Sequence, residues 1–205
     1  ELQEFKRDWF KYYRDHECPS NLRIYTTVDL AISQKTSADD TVIMTVGIAP
    51  DNSKYILEYT NARLDLFQTV EEIFRHFDRY EASIVGIESV GYQEALIQLL
   101  KKEMQLRNKF MNIEPIQTRT DKQMKIRGLI PHYKAGVIYH RYGMCESLEN
   151  KLLRFPKGQH DDIIDALAMQ INLWNAPLYT KTSGPKRTGK TLKQLMQEEG
   201  LMLRR

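Results

Sequence analysis

The order of strand-like and helix-like segments is the feature that most restricts the fold of this chain. Three segments rich in β-branched residues come first, and a Pro-Asp-Asn turn separates the second from the third. The periodicity then changes, because an amphipathic helix is followed by a short apolar run, a second helix and another strand-like segment. The strand-like segments are, in order, RIYTTVDLAIS, TVIMTVGIA, KYILEYTNA, ASIVGIES and FMNIEPIQT. The first three are predicted to form an antiparallel meander.

The fourth and fifth predicted strands are joined by a helix, and a helical crossover makes two strands of one sheet parallel. The sequence then predicts a short helix broken at Pro131, a small strand in VIYH and two helices, ESLENKLLRF and DDIIDALAMQINLW. We therefore predict an α/β protein with a mixed sheet of five or more strands flanked by helices. Three antiparallel strands followed by parallel β-α-β units are the layout of the ribonuclease H-like fold.

The two ends of the chain differ in composition from its middle. Residues 1–20 are predicted to form a short amphipathic helix or arm, whose aromatic side chains we assign to a preceding domain. Residues 21–176 are predicted to be one α/β domain. Residues 177–205 are polar and rich in Lys, Thr and Gly, which predicts a flexible basic tail. No apolar run reaches the ~18 residues of a membrane span.

Charge is unevenly distributed along the chain, although the net charge is only +3. Residues 101–157 carry 13 Lys and Arg against 5 Asp and Glu, and residues 181–205 carry 7 against 2, so the remainder is acidic. This segregation indicates a basic surface for a polyanion beside an acidic site for cations. Solvated helix surfaces would produce part of the same surplus. Two widely separated cysteines fit a reducing cytoplasm better than a disulfide framework or a zinc site.

Acidic residues stand where two apolar strands end and where the last helix begins. Asp29 lies near the end of the first predicted strand and Glu88 ends the fourth, two strands that are neighbours in this fold. The helix motif DDIID adds Asp161, Asp162 and Asp165, and its first turn can reach both strand ends. Converging carboxylates suit two Mg²⁺ or Mn²⁺ ions, which prefer oxygen ligands. Held ~3.5–4 Å apart, such ions activate a water and stabilise the leaving oxygen of a phosphodiester.

Each of these acids also has a purely structural interpretation. Asp29 can open a turn, and Glu88 can interact with the N-terminus of the next helix. Either Asp161 or Asp162 can cap the last helix. Capping needs only one acid, however, and three carboxylates at one helix end repel one another unless a cation is near. The cluster therefore favours a metal site over capping alone.

The motifs TTVDLAIS, IVGIESVGYQ and GQHDDIIDALA resemble the three acidic motifs of the nuclease domain of the large terminase subunit of tailed bacteriophages. The resemblance spans roughly residues 20–176. It implies a metal-dependent DNA endonuclease of ribonuclease H-like fold that cuts concatemeric viral DNA during genome packaging with two Mg²⁺ or Mn²⁺ ions. It also implies metal ligation by Asp29, Glu88 and a helix aspartate. For the latter Asp162 is favoured over Asp161, with Asp165 as a further ligand.

The resemblance also implies partners and a location. Members of this family begin with an ATPase motor, and residues 1–20 are interpreted as a remnant linker from that motor domain. Double-stranded DNA, the portal protein and the small terminase subunit are the implied partners, in the cytoplasm of the host cell. In the tail, Lys186, Arg187 and Lys190 either bind DNA, dock the portal or stay solvated.

Basic residues close to the predicted site are candidates for contacts with the DNA backbone. Lys122, Lys125 and Arg127 lie on the short helix DKQMKIRG, from which they would position DNA without reading its sequence. A solvated helix face is the alternative for each of them. His160 is interpreted as a structural residue more readily than as a proton shuttle.

Two other functional classes fit the same motifs. One is a Holliday-junction resolvase or transposase-like nuclease, in which acids also lie on the first strand, the fourth strand and a late helix. Preference for four-way junctions over linear duplex would identify it. The other is a non-catalytic nucleic-acid-binding module whose acids are structural. Metal-dependent nicking of plasmid DNA that is lost in Asp29→Asn would exclude it.

Overall fold

The computed structural model describes most of the chain. The described residues are 3–30, 40–88, 93–117, 120–158 and 162–174. The predicted tail at 177–205, with its Lys186, Arg187 and Lys190, lies outside them, as do His160 and Asp161. The division of the chain at residues 20 and 177 stays a prediction. No helix among the described residues has the length and apolar character needed to span a membrane.

A mixed sheet of seven strands organises the described residues. The strands are β1 Lys11–Tyr13, β2 Arg23–Asp29, β3 Thr41–Ile48, β4 Lys54–Ala62, β5 Ile84–Glu88, β6 Ile113–Ile116 and β7 Ile138–Arg141. Their order across the sheet is β1-β7-β4-β3-β2-β5-β6. Strands β2, β3 and β4 form the predicted antiparallel meander, and β5 and β6 extend it in parallel with β2. The prediction of a mixed sheet is confirmed.

Helices cover both faces of this sheet. They are α1 Leu66–Tyr80, α2 Gln93–Arg107, α3 Lys122–Arg127, α4 Ile130–Lys134, α5 Glu146–Arg154, α6 Asp162–Met169 and α7 Ile171–Trp174. Val28 belongs to the apolar cluster formed with α1 and α2. The neighbouring Thr27 hydrogen-bonds to α6. Because successive strand residues point to opposite faces, α6 lies on the face away from α1 and α2.

Two helical segments differ in detail from their predictions. The segment DKQMKIRGLIPHYKAG forms α3 and α4, and the break falls at Gly128 and Leu129 rather than at Pro131. Pro131 lies in the first turn of α4, where its missing N–H costs no helical hydrogen bond. The last predicted helix is interrupted at Gln170, between α6 and α7.

The first residues complete the sheet instead of forming an amphipathic helix, so the helix prediction for this segment is wrong. Strand β1 pairs in parallel with β7 at the sheet edge and is flanked by two short 3-10 turns. Phe5 and Phe10 are buried, and the Phe5 ring packs edge-on against Tyr133 and Phe155 with centroids 5.6 and 5.8 Å away. Aromatic residues that the sequence assigned to another domain therefore pack in this one.

A buried histidine joins α1 to the meander. His76 is fully buried, with Nδ1 2.8 Å from Thr45 Oγ1 and Nε2 3.1 Å from Thr60 Oγ1. Burial lowers the pKa of His76 to about 4, although the neighbouring Glu58 and Glu72 oppose that shift. The imidazole is therefore neutral at pH 7, and protonating it would place a charge in the interior.

We expect the contribution of His76 to the free energy of unfolding to fall as the pH drops from about 6.5 to about 4. The unfolded chain binds the His76 proton near its ordinary pKa of 6.5 and the folded chain only near 4. The unfolded state therefore holds more protons in this window, and the stabilisation present above pH 6.5 is lost through it, by on the order of 3 kcal/mol. Urea unfolding of the unaltered protein and of the His76→Gln variant, each at pH 7.5 and pH 4.5, isolates this contribution as the difference between the two proteins. The His76→Gln variant should lose less over the same interval, and an equal loss in both proteins would contradict this explanation.

Candidate functional site

Two of the predicted acids meet where two central parallel strands end. Strands β2 and β5 pair with Val28 opposite Ile87, so Asp29 and Glu88 follow side by side at the carboxyl ends. Paired residues of neighbouring strands project to the same face of a sheet. The side chains of Asp29 and Glu88 accordingly share a hydrogen bond. The register of two strands thus creates a pair of carboxyl groups from residues far apart in sequence.

Helix α6 is fixed over the same end of the sheet by two polar residues. Thr27 Oγ1 donates to the carbonyl oxygen of Ala166 at 2.9 Å. Gln170, which is fully buried at the end of α6, donates through Nε2 to main-chain carbonyls of β2 at 3.2 Å and β3 at 2.9 Å. These bonds fix the height and rotation of the helix. Its first turn, which carries Asp162 and Asp165, is thereby held near the strand ends.

Helix α3 contributes two lysines that pair with these acids. Lys125 Nζ lies 2.7 Å from Asp165 Oδ1 and 3.2 Å from Glu88 Oε1. Lys122 Nζ lies 3.0 Å from Asp162 Oδ1 and 3.9 Å from Asp165 Oδ2. Lysines three residues apart share one face of a helix, so both point toward α6. The side chain of Lys125 is only 7% exposed, whereas that of Lys122 is 43% exposed.

The position of α3 is set by its cap and its packing. Asp121 caps the helix, because its Oδ2 accepts a hydrogen bond from the Gln123 main-chain N–H at 3.1 Å. Ile126 is fully buried and anchors the helix in the core. At Gly128 a Cβ atom would lie 2.9 Å from the Lys125 carbonyl oxygen and 3.2 Å from Ile171 Cδ1, so the helix end approaches α7 closely. The two lysines are therefore held on a fixed element.

Burial and mutual repulsion alter the protonation of the carboxyl groups. Burial, and then the charges of Glu88 and Asp165, raise the pKa of Asp29 to about 8. Burial also raises the pKa of Asp165, although Lys125 acts against it. Buried carboxyl groups with raised pKa values, such as these two, stay ionised near neutral pH only where a cation compensates their charge.

We call Asp29, Glu88, Asp162 and Asp165 the acidic cluster. Burial opposes the charge on Lys122, but its hydrogen bond to Asp162 and the nearby acids raise the pKa of this lysine. Four carboxylates and two ammonium groups leave the cluster with a formal charge of −2 when all are ionised. Carboxylate oxygens are the ligands that Mg²⁺ and Mn²⁺ prefer, so the donor set fits a hard divalent cation.

The acidic cluster is not arranged as a preformed metal cage. Within the part of the chain that the structure describes, no three Asp, Glu, His or Cys side chains stand together in a geometry that could hold a metal ion. The Lys125 ammonium lies between Glu88 and Asp165 and contacts both. Carboxylates that point toward this ammonium group cannot at the same time point toward a metal ion at a different position.

The helix acids differ in their relation to the strand ends. The charge of Asp165 contributes to the raised pKa of Asp29, so these two groups lie within electrostatic reach. Asp162 is paired with Lys122 and lies at the edge of the cluster. Sequence reasoning favoured Asp162 as the helix ligand, whereas the geometry places Asp165 next to the strand acids. Asp161 lies outside the described residues.

The basic residues predicted to contact DNA are all engaged in ion pairs. Lys122 and Lys125 pair within the acidic cluster. Arg127 donates through Nε and Nη2 to the Glu4 carboxylate, both at 2.9 Å, and its guanidinium lies over the Phe155 ring at 5.6 Å. Sequence reasoning missed that two of the three are counter-ions of the acids. Their i, i+3 spacing places both lysines on one helix face. The acids they contact lie 40 and 37 residues away in the sequence, so only the packing of α3 reveals the pairing.

Comparisons with known proteins agree with the observed fold. The model of the family described as terminase RNaseH-like domain matches residues 26–173. The nuclease domain of the large terminase subunit gp2 of bacterial virus Sf6 superposes with a TM-score of 0.58 at 10% identity, covering 86% of this chain and 100% of that one. The large terminase nuclease from thermophilic phage G20c with bound zinc gives 0.58 at 16% identity, covering 80% and 94%. No curated protein matches this chain. The predicted ribonuclease H-like fold is confirmed.

Proposed function

Because the chain belongs to the terminase RNaseH-like domain family, we propose that it is the nuclease domain of a large terminase, which cuts concatemeric viral DNA by phosphodiester hydrolysis during genome packaging. The observation that carries this proposal is the meeting of Asp29, Glu88 and Asp165 at the ends of β2, β5 and α6. An acid that only caps a helix or stays in contact with solvent can do so alone. A purely structural role therefore does not require acids from three separate elements to lie together.

Divalent cations are the proposed cofactors. The G20c nuclease was solved with bound magnesium and with bound zinc, and a K428A mutant of the Sf6 nuclease domain with manganese. In this chain Asp29, Glu88 and Asp165 would hold Mg²⁺ or Mn²⁺, two ions in all, with Asp162 and Asp161 as further ligands. When bound, such ions lower the pKa of a water and stabilise negative charge on the leaving oxygen.

The protein itself contributes rigid placement and positive charge. Strands β2 and β5 and the anchored α6 fix the carboxylates on regular elements, which lowers the reorganisation needed when DNA binds. We propose that Lys122, at the exposed side of the acidic cluster, attracts a phosphate of the DNA backbone. We propose Lys125 and Arg127 as further backbone contacts, which they would make in exchange for their present carboxylate partners.

The function is tested with supercoiled plasmid DNA and the purified chain. With Mn²⁺ or Mg²⁺ we expect conversion to nicked and then linear plasmid, and chelation by EDTA should stop it because the carboxylates alone cannot activate water. Agarose gels at several salt concentrations report the rate. Absence of cleavage with either metal would overturn the nuclease assignment. Cleavage of four-way junctions well above linear duplex would instead identify a junction-resolving enzyme.

Family membership also supports a set of partners. We propose that the chain acts beside an ATPase motor domain, with the portal protein and the small terminase subunit, in the cytoplasm of the host cell. Double-stranded DNA is the substrate in that setting. The basic tail, including Lys186, Arg187 and Lys190, is proposed to serve either the DNA or the portal.

A further inference from the structure

Lys125 occupies the centre of the acidic cluster rather than its periphery. Its ammonium lies 2.7 Å from Asp165 Oδ1 and 3.2 Å from Glu88 Oε1, so one cation joins a carboxylate of α6 to a carboxylate of β5. The Lys125 and Asp165 side chains are each 7% exposed. Bulk water therefore screens these ion pairs only weakly.

The Lys125 ammonium compensates the negative charge of the acids around it. Asp165 Oδ1 is buried and, apart from the ion-pair contact with Lys125, accepts no well-aligned hydrogen bond. Asp29, which shares a hydrogen bond with Glu88, is also affected by the Lys125 charge. Without a cation at this position, the buried Asp29 and Asp165 and the partly buried Glu88 would repel one another and lack compensation. Lys125 thus does for the metal-free protein what a divalent cation would do for the loaded one.

We propose that Lys125 is an internal counter-cation that holds the acidic cluster together in the absence of metal and competes with a divalent metal for Glu88 and Asp165. The ammonium and a metal ion cannot occupy the same place between two carboxylates. Metal binding therefore displaces the ammonium, which becomes available to a DNA phosphate. This inference rests on the proposed function, because it requires the acidic cluster to be the metal site.

Competition of this kind lowers the apparent affinity for metal. A site whose ligands are engaged elsewhere binds with its intrinsic affinity multiplied by the fraction of molecules that are free to bind. Removing the ammonium should therefore tighten metal binding. If Lys125 instead organised the carboxylates for the metal-bound state, its removal would weaken metal binding. The two roles predict changes of opposite sign.

The test measures Mn²⁺ binding to the full chain by isothermal titration calorimetry without DNA. We expect Lys125→Met to bind Mn²⁺ at least about tenfold more tightly than the unaltered protein. Lys125→Arg, which keeps the charge, should bind as weakly as the unaltered protein or more weakly. Unchanged or weaker binding by Lys125→Met would overturn the proposal.

A matched control separates this local effect from a general change in charge. Lys102 is an exposed lysine of α2, and Lys102→Met removes one positive charge just as Lys125→Met does. We expect its Mn²⁺ affinity to stay within about twofold of the unaltered protein, since exposed charges are strongly screened. A tightening equal to that of Lys125→Met would mean that net charge, and not displacement, sets the affinity.

A second measurement uses the unaltered protein and does not depend on the variant folding. Acetylation by acetic anhydride, followed by peptide mass spectrometry, reports the accessibility of each lysine amine. Saturating Mg²⁺ should increase the labelling of Lys125 severalfold while that of Lys102 stays constant. Protection of Lys125 that is unaffected by bound Mg²⁺ would overturn the proposal.

Failure of this inference is distinguishable from failure of the proposed function. If the unaltered protein binds Mn²⁺ and cuts DNA but Lys125→Met binds no tighter, the nuclease assignment stands and the competition does not. If neither protein binds Mn²⁺ and no cleavage occurs, the metal site itself is wrong, and both proposals fall.

Discussion

Asp29→Asn is expected to lower metal-dependent plasmid cleavage by about three orders of magnitude. Asp29 ends β2, hydrogen-bonds with Glu88 and is buried within the acidic cluster, so we expect its carboxylate to be a ligand of bound metal. Asparagine keeps the size but supplies a neutral oxygen. Loss of one anionic ligand removes several kcal/mol of charge stabilisation, and about 4 kcal/mol corresponds to a factor of about 1000 in rate.

The same substitution should leave the fold intact, which separates catalysis from stability. Burial and the neighbouring acids raise the pKa of Asp29 to about 8, so ionising this group is unfavourable in the folded protein. A neutral asparagine relieves that repulsion, and the melting temperature of the metal-free variant should equal or exceed that of the unaltered protein at pH 8.5.

Single-turnover cleavage rates and thermal unfolding measure the two effects of Asp29→Asn. Asp78→Asn is the matched control, because Asp78 is a half-exposed residue of α1 that pairs with Lys109. Its cleavage rate should be unchanged. An Asp29→Asn protein that is folded and still cuts DNA within tenfold of the unaltered rate would show that Asp29 is not a catalytic ligand.

Asp165→Asn is expected to reduce cleavage far more than Asp162→Asn. Asp165 is 7% exposed in its side chain and lies within electrostatic reach of Asp29, whereas Asp162 is paired with Lys122 at the edge of the cluster. We expect a loss of about 1000-fold for Asp165→Asn, as for removal of a metal ligand. For Asp162→Asn we expect about tenfold, as for a residue that supports a ligand.

Cleavage rate and Mn²⁺ affinity, measured in parallel for the two variants, show whether Asp165 or Asp162 is the helix ligand of the metal. The substitutions are chemically identical and three residues apart on one helix, so each serves as the control for the other. Asp165→Asn should weaken Mn²⁺ binding clearly and Asp162→Asn only slightly. The reverse order would return the helix ligand to Asp162, the residue that the sequence favoured.

Much of the fold could be predicted because it depends on local patterns. Alternating β-branched residues identify β2, β3 and β4, and the run IVGIE identifies a strand buried on both faces. The helical crossovers then require that β5 and β6 run parallel. The first segment could not be predicted in this way. Lys11–Tyr13 forms a strand only because β7 offers it an edge, and that contact joins residues far apart in sequence.

For the site, the sequence by itself determined which acids stand at the ends of apolar elements. Asp29 and Glu88 were identifiable because an acid at the end of a buried strand requires a partner. Only the tertiary structure decided which charges meet. The rotation of α6, fixed by Thr27 and Gln170, turns Asp165 toward the strand ends, and the packing of α3 inserts Lys125 among the acids. Periodicity is a property of neighbours along the chain, whereas an ion pair across three elements depends on register, rotation and packing, which no single segment encodes.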